Sequence, residues 1–161
     1  MNKTLFTLLI CLVIGSIAMA QNISENALGL RLGDNNGFGV ELNYQRGLSQ
    51  ANRLELGLGI RTASDYDGFK LTGIYQWVWV LDGNFNWYAG AGGGLGSYSY
   101  KNLPPGFKDN DTFFFAAGSL GVEYNFDFPL ILSLDVRPEI GFGSYYDDFD
   151  FDLGLGLRYQ F

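Results

Sequence analysis

Asp150-Phe151-Asp152-Leu153-Gly154-Leu155-Gly156-Leu157-Arg158-Tyr159-Gln160-Phe161 closes the chain, and its alternation decides the fold. Every odd position is apolar or aromatic: Phe151, Leu153, Leu155, Leu157, Tyr159, Phe161. Every even position is charged, polar or glycine. A period of two puts these sets on opposite faces of an extended strand, whereas a helix would need a period near 3.6. The same pattern recurs upstream. Leu54, Leu56, Leu58 and Ile60 alternate with Arg53, Glu55, Gly57, Gly59 and Arg61. Phe38, Val40, Leu42 and Tyr44 alternate with Gly39, Glu41, Asn43 and Gln45.

Extending outward from these segments predicts eight strands, at about 26–33, 37–46, 53–61, 68–81, 85–98, 112–126, 130–143 and 150–161. Compact connections at 47–52, Asp82-Gly83-Asn84 and Asp127-Phe128-Pro129 alternate with more acidic or longer ones at 62–67, 99–111 and 144–149; Asp34-Asn35-Asn36 is short. An even strand number puts both termini on the side of the compact turns. The pattern predicts an all-β fold, an eight-stranded antiparallel up-and-down transmembrane β-barrel, and no second domain.

Alternation alone does not say which face meets solvent. The polar face carries Arg31, Arg53, Arg61, Lys70, Arg137 and Arg158 beside Glu41, Glu55, Glu123, Asp135, Glu139 and Asp152, six charges of each sign. A solvated surface does not require such balance; a narrow lumen does, because buried charges need partners to offset desolvation. The apolar face gathers its aromatics at the strand ends. Tyr44, Trp77, Trp79, Phe85, Trp87, Tyr124, Tyr159 and Phe161 fall at the terminal side, and Phe38, Phe69, Phe114, Phe142 and Phe151 at the other. Two aromatic belts around an aliphatic middle match the two interfaces of a bilayer. Pro138 sits inside a predicted strand, where its missing N–H calls for a bulge or a frayed ladder.

The start of the chain points to export. Met1-Asn2-Lys3 precedes an apolar run from Leu5 to Ile17, and Ala18-Met19-Ala20 supplies a small-x-small end before Gln21. This is the layout of a secretory signal peptide over residues 1–20, with the barrel occupying 21–161. The run is too short for a spanning helix of roughly 20 residues. Cys11 follows Ile10, which is not small, so a lipoprotein signal fits poorly. Cleavage would remove the only cysteine, and the chain has no histidine. Disulfides, Cys/His zinc sites and an imidazole base are therefore excluded from the mature chain.

The final Leu155-x-Leu157-x-Tyr159-x-Phe161 resembles the sorting signature of bacterial outer-membrane barrels, an aromatic last residue preceded by alternating hydrophobics. With the signal peptide and strand pattern, the chain resembles the small eight-stranded barrels typified by OmpX and the membrane domain of OmpA. That resemblance implies a bacterial outer-membrane location. It also implies, as partners, outer-membrane lipids, lipopolysaccharide and the barrel-assembly machinery that reads the signature.

Candidate chemistry is sparse. Ala89-Gly90-Ala91-Gly92-Gly93-Gly94-Leu95-Gly96 superficially resembles a dinucleotide loop, but such a loop must open a helix, and here a strand continues through it. Its glycines are expected to make room inside the barrel. Barrel enzymes of the outer membrane resembling this fold use a catalytic histidine, and the carboxylates of the polar face lie near basic residues that favour their ionised form. The outward loops hold Asp34, Asp65, Asp67, Asp109, Asp111, Asp147, Asp148 and Asp150 against Lys101 and Lys108. Asp147, Asp148 and Asp150 are a weak cation candidate, without the spacing of a dedicated calcium loop. The acidic balance argues against nucleic acid. The expectation is a non-enzymatic barrel without cofactor, with a structural, envelope-integrity or surface-interaction role. A narrow gated channel is the alternative, and a lipid-modifying enzyme a more distant one.

Overall fold

A computed structural model describes residues 23–33, 39–64, 66–101, 110–142 and 149–161. The signal segment lies outside them, as do Asp34, Phe38, Asp65, Asp109, Asp147 and Asp148. Eight strands follow one another: β1 (Asn26–Gly33), β2 (Val40–Gly47), β3 (Asn52–Thr62), β4 (Tyr66–Asp82), β5 (Phe85–Tyr100), β6 (Asn110–Asn125), β7 (Leu130–Phe142) and β8 (Phe149–Gln160). Each pairs antiparallel with the next, and β8 returns to β1 through Leu28↔Tyr159, Leu30↔Leu157 and Leu32↔Leu155, closing the barrel. Closure leaves no free sheet edge.

The apolar face of the alternation points outward. Leu28, Leu30, Leu32, Leu42, Leu134, Leu153, Leu155 and Leu157 are all exposed on the outer wall, while the charges between them are buried. The lower belt is built of ring pairs: Trp79 stacks on Trp87 at 4.3 Å, and Phe85 meets Tyr124 at 4.7 Å between centroids. At the opposite rim Phe69, Phe114, Phe142 and Phe151 are exposed, and Phe149 packs edge-on against Phe151.

Two local features follow from residue chemistry. Gly83-Asn84 makes a two-residue hairpin turn after β4, and Gly83 has φ of 52°, a conformation that glycine adopts without steric cost. At Pro138 the ladder opens without a bulge. The β6–β7 pairing runs to Ala117↔Glu139 and resumes at Leu120↔Val136 in unchanged register, leaving out Gly118, Ser119, Arg137 and Pro138. The ring is accommodated opposite Gly118, where a Cβ would come within 3.0 Å of Pro138 Cγ.

The wall is uneven. β4, β5 and β6 have 17, 16 and 16 residues, whereas β1 and β2 have 8 each. At about 3.4 Å per residue, β4 is roughly twice as long as β1. A spanning strand needs only about 9–11 residues, so the long strands project beyond the bilayer on the loop side.

Candidate functional site

Because successive side chains alternate across the sheet, the even residues of β4, β5 and β8 and the odd residues of β1, β2, β3, β6 and β7 converge on the barrel axis. Of the twelve charges assigned to that face, all but Arg61 are 3% exposed or less. These eleven form clusters of buried ion pairs. Arg31 donates to Asp135 at 2.6 Å and also pairs with Asp152. Arg137 bridges Glu41 at 3.1 Å and Glu55 at 2.9 Å, and Arg158 reaches the other Glu55 oxygen at 3.3 Å. Toward the terminal side Arg53 pairs with Glu123 at 2.8 Å; toward the loops Lys70 pairs with Glu139 at 2.6 Å. Arg61 lies at the upper mouth, half-buried, its guanidinium 5.1 Å from the centre of the Tyr66 ring.

Neutral polar groups complete the network. Gln45 donates to Glu55 at 2.7 Å, Arg53 Nε donates to Gln76 at 2.7 Å, and Asn86 donates to Glu123 at 3.1 Å. Arg158 donates to Asn43 and to Ser133, and the Tyr88 hydroxyl donates to Asp135 at 3.3 Å. These partners matter because burying a charge is costly unless it is paired and hydrogen-bonded. Glycines of the same parity give the long side chains their space: a Cβ at Gly57 would overlap the Glu41 carboxylate, and one at Gly154 the Arg31 guanidinium.

The lumen is not polar throughout. Ile74, Phe113, Phe115 and Ala117 are buried together toward the loop side, with Tyr98 packed against them. Tyr98 stacks on Phe113 at 5.4 Å, and the Lys70 ammonium lies 4.5 Å from the centre of the Phe115 ring. The glycine run of β5 faces this cluster, and a Cβ at Gly94 or Gly96 would overlap the Phe115 or Phe113 ring. That is the space-making role expected of the run, with aromatic rings rather than charges filling the space. The apolar cluster was not anticipated from sequence. Its signal was Phe113-Phe114-Phe115, which is apolar on both faces at once.

As chemistry, this arrangement offers little. Each lumen carboxylate has a guanidinium or ammonium beside it and is engaged as an ion-pair partner. Among the described residues no group of three or more His, Cys, Asp or Glu is placed to hold a metal. Of the cation candidates, Asp147 and Asp148 lie outside the described residues, and Asp150 accepts a hydrogen bond from the Phe151 N–H at 2.8 Å. On the outward rim Asp67 pairs with Lys101 at 2.7 Å, and Tyr66 packs edge-on against Tyr98.

Three solved structures share this architecture at low identity. The N-terminal β-barrel domain of Pseudomonas aeruginosa OprF superposes with a TM-score of 0.62 at 16% identity, covering 89% of this chain and all of that domain. Neisserial surface protein A gives 0.60 at 14% identity, over 84% of this chain and 93% of that one. Ail, the attachment invasion locus protein of Yersinia pestis, gives 0.58 at 16% identity, over 86% and 97%. This chain has the fold of the small eight-stranded outer-membrane barrels. Ail has also been solved in complex with the heparin analogue sucrose octasulfate and in a phospholipid bilayer nanodisc. No family model matches the chain, and no curated protein does. The barrel neighbours and the outward apolar band together support an outer-membrane location.

Proposed function

We propose that this chain is a non-enzymatic integral outer-membrane barrel whose lumen is sealed and whose work is done at its surfaces: by its outer wall in the envelope, and by its acidic outward loops toward partners. The observation that carries this reading is the packed lumen, in which buried ion pairs and the Phe113–Phe115 cluster occupy the axis. An eight-stranded barrel has an interior just wide enough for side chains to fill. The acidic rim differs in charge from a surface suited to a polyanion, so the sulfated ligand of Ail is not carried over. Divalent cations bridging the rim to lipopolysaccharide phosphates fit its charge better.

Purified protein in planar bilayers tests the sealed lumen. The expected outcome is no discrete conductance; well-resolved unitary steps would instead favour the narrow gated channel. Lipid A of unchanged mass on deletion and overexpression is expected, and a new acylation state would revive the enzyme reading.

A further inference from the structure

Beyond the lumen, the outer wall carries a groove. It is about 370 Å³, lined by Trp87 of β5, Leu120 and Val122 of β6, Leu134 and Val136 of β7, and Leu153 of β8. Two cross-strand rows build it, Trp87↔Val122↔Leu134 and Leu120↔Val136↔Leu153. It runs obliquely from Trp87 in the lower aromatic belt to Leu153, one pleat from Phe151 of the upper belt. The short side chains of Val122 and Val136 sink its floor between longer leucines. It is shallow and open along the wall, and the surface it exposes is apolar, Asp135 beneath it being buried.

The charge at its lower end is one-sided. Asp82 and Asp127 are exposed at the turns below Trp87, and Asp127 accepts a hydrogen bond from Asn84 at 3.1 Å. No Lys or Arg occurs between residues 71 and 100 or between 109 and 136, the stretches that supply the lower ends of β4 to β7. A headgroup seated there meets carboxylates and no cation. Anionic headgroups are disfavoured in such a field, and a primary ammonium, which donates hydrogen bonds as well as carrying charge, is favoured.

We propose that the outward face of β5–β8 binds one phospholipid of the periplasmic leaflet, with an acyl chain in the groove and an ethanolamine headgroup beside Asp82 and Asp127. The inference rests on the membrane-spanning reading above. The three tryptophans, Trp77, Trp79 and Trp87, provide the probe. A protein carrying Trp77→Phe and Trp79→Phe retains Trp87 at the groove mouth. Reconstituted in phosphatidylcholine vesicles, it is titrated with brominated phosphatidylethanolamine or brominated phosphatidylglycerol while Trp87 fluorescence is followed. Half-maximal quenching is expected at an at least threefold lower mole fraction of the ethanolamine lipid. Val136→Phe, or independently Leu153→Phe, fills the groove and should abolish that difference. Asp82→Lys combined with Asp127→Lys should invert it. Each variant is first shown to be a folded barrel by its heat-dependent gel mobility. Equal quenching by both lipids, a preference that survives groove filling, or displacement by lipopolysaccharide more readily than by unlabelled phosphatidylethanolamine would overturn the site while leaving the barrel intact. No quenching by any brominated lipid would overturn the membrane-spanning reading itself.

Discussion

Glu55 is the residue on which the lumen network turns, since it accepts from Arg137, Arg158 and Gln45 at once. Replacing it with Gln keeps the shape but takes the carboxylate from the buried Arg158 and leaves Arg137 with Glu41 alone. Breaking a buried pair by removing one partner costs on the order of 3–5 kcal/mol. Glu55→Gln is therefore expected to lower stability by about that amount in urea titrations of the lipid-reconstituted barrel. Arg158→Gln on the same background should recover part of the loss, because the guanidinium that lost its carboxylate disappears. Gly154→Val poses a different problem, of space rather than charge: its side chain would collide with the Arg31 guanidinium. The folded, heat-modifiable gel band is expected to be largely lost, and retention of the full band would show that the Arg31 cluster can move aside.

At the level of the element, β7 carries both a test of the ladder and a test of the outer face. Pro138→Val restores an N–H where the β6–β7 pairing is interrupted, and Gly118 opposite leaves space for the change. One recovered backbone hydrogen bond is worth about 0.5–1.5 kcal/mol. A gain of that size, with slowed amide exchange at Ser119 and Leu120, is the expected result. Leu134→Arg puts a charge on the lipid side of the same strand, and an Arg near the bilayer midplane costs about 2–4 kcal/mol. A neutral outcome in lipid would contradict the outward assignment of Leu134. The strands were legible from sequence because period two persists in each, and their bounds differ from expectation mainly at the loop side. β4 begins at Tyr66 rather than 68 and β5 runs to Tyr100 rather than 98. There Tyr66 and Tyr100 pair across the strands above the bilayer, where no lipid enforces the alternation. Parity alone also puts the lumen charges on one face of the sheet. Their partners were not legible: Arg31 and Asp135 are 104 residues apart in sequence and meet across the axis, which only closure and register determine. Nor was the Phe113–Phe115 cluster, because a strand apolar on both faces gives parity no contrast to read.

For the molecule as a whole, biogenesis and insertion are the testable level. The closing strand pairs on both sides, with β7 and with β1, and Phe161 exchanges backbone hydrogen bonds with Asn26 at 2.9 and 3.1 Å. Phe161→Ser leaves those backbone bonds available and removes only the terminal ring of the proposed assembly signature. Slower appearance of the heat-modifiable band in cells, with unchanged refolding of purified protein into vesicles, is the expected result; equal delay in both would assign the ring to stability instead. The unequal wall has a separate consequence. A barrel whose strands were all of one length would look alike from every direction in the membrane plane. This one has a back, where β4 to β6 stand as a parapet above the lipid, and a front, where β1 and β2 are only half as long. The described wall thus stands higher on one side, where Tyr66 and Tyr100 pair, than on the other. The protein therefore carries a compass bearing in two dimensions, and neighbours crowded against it can distinguish its sides before they touch its loops.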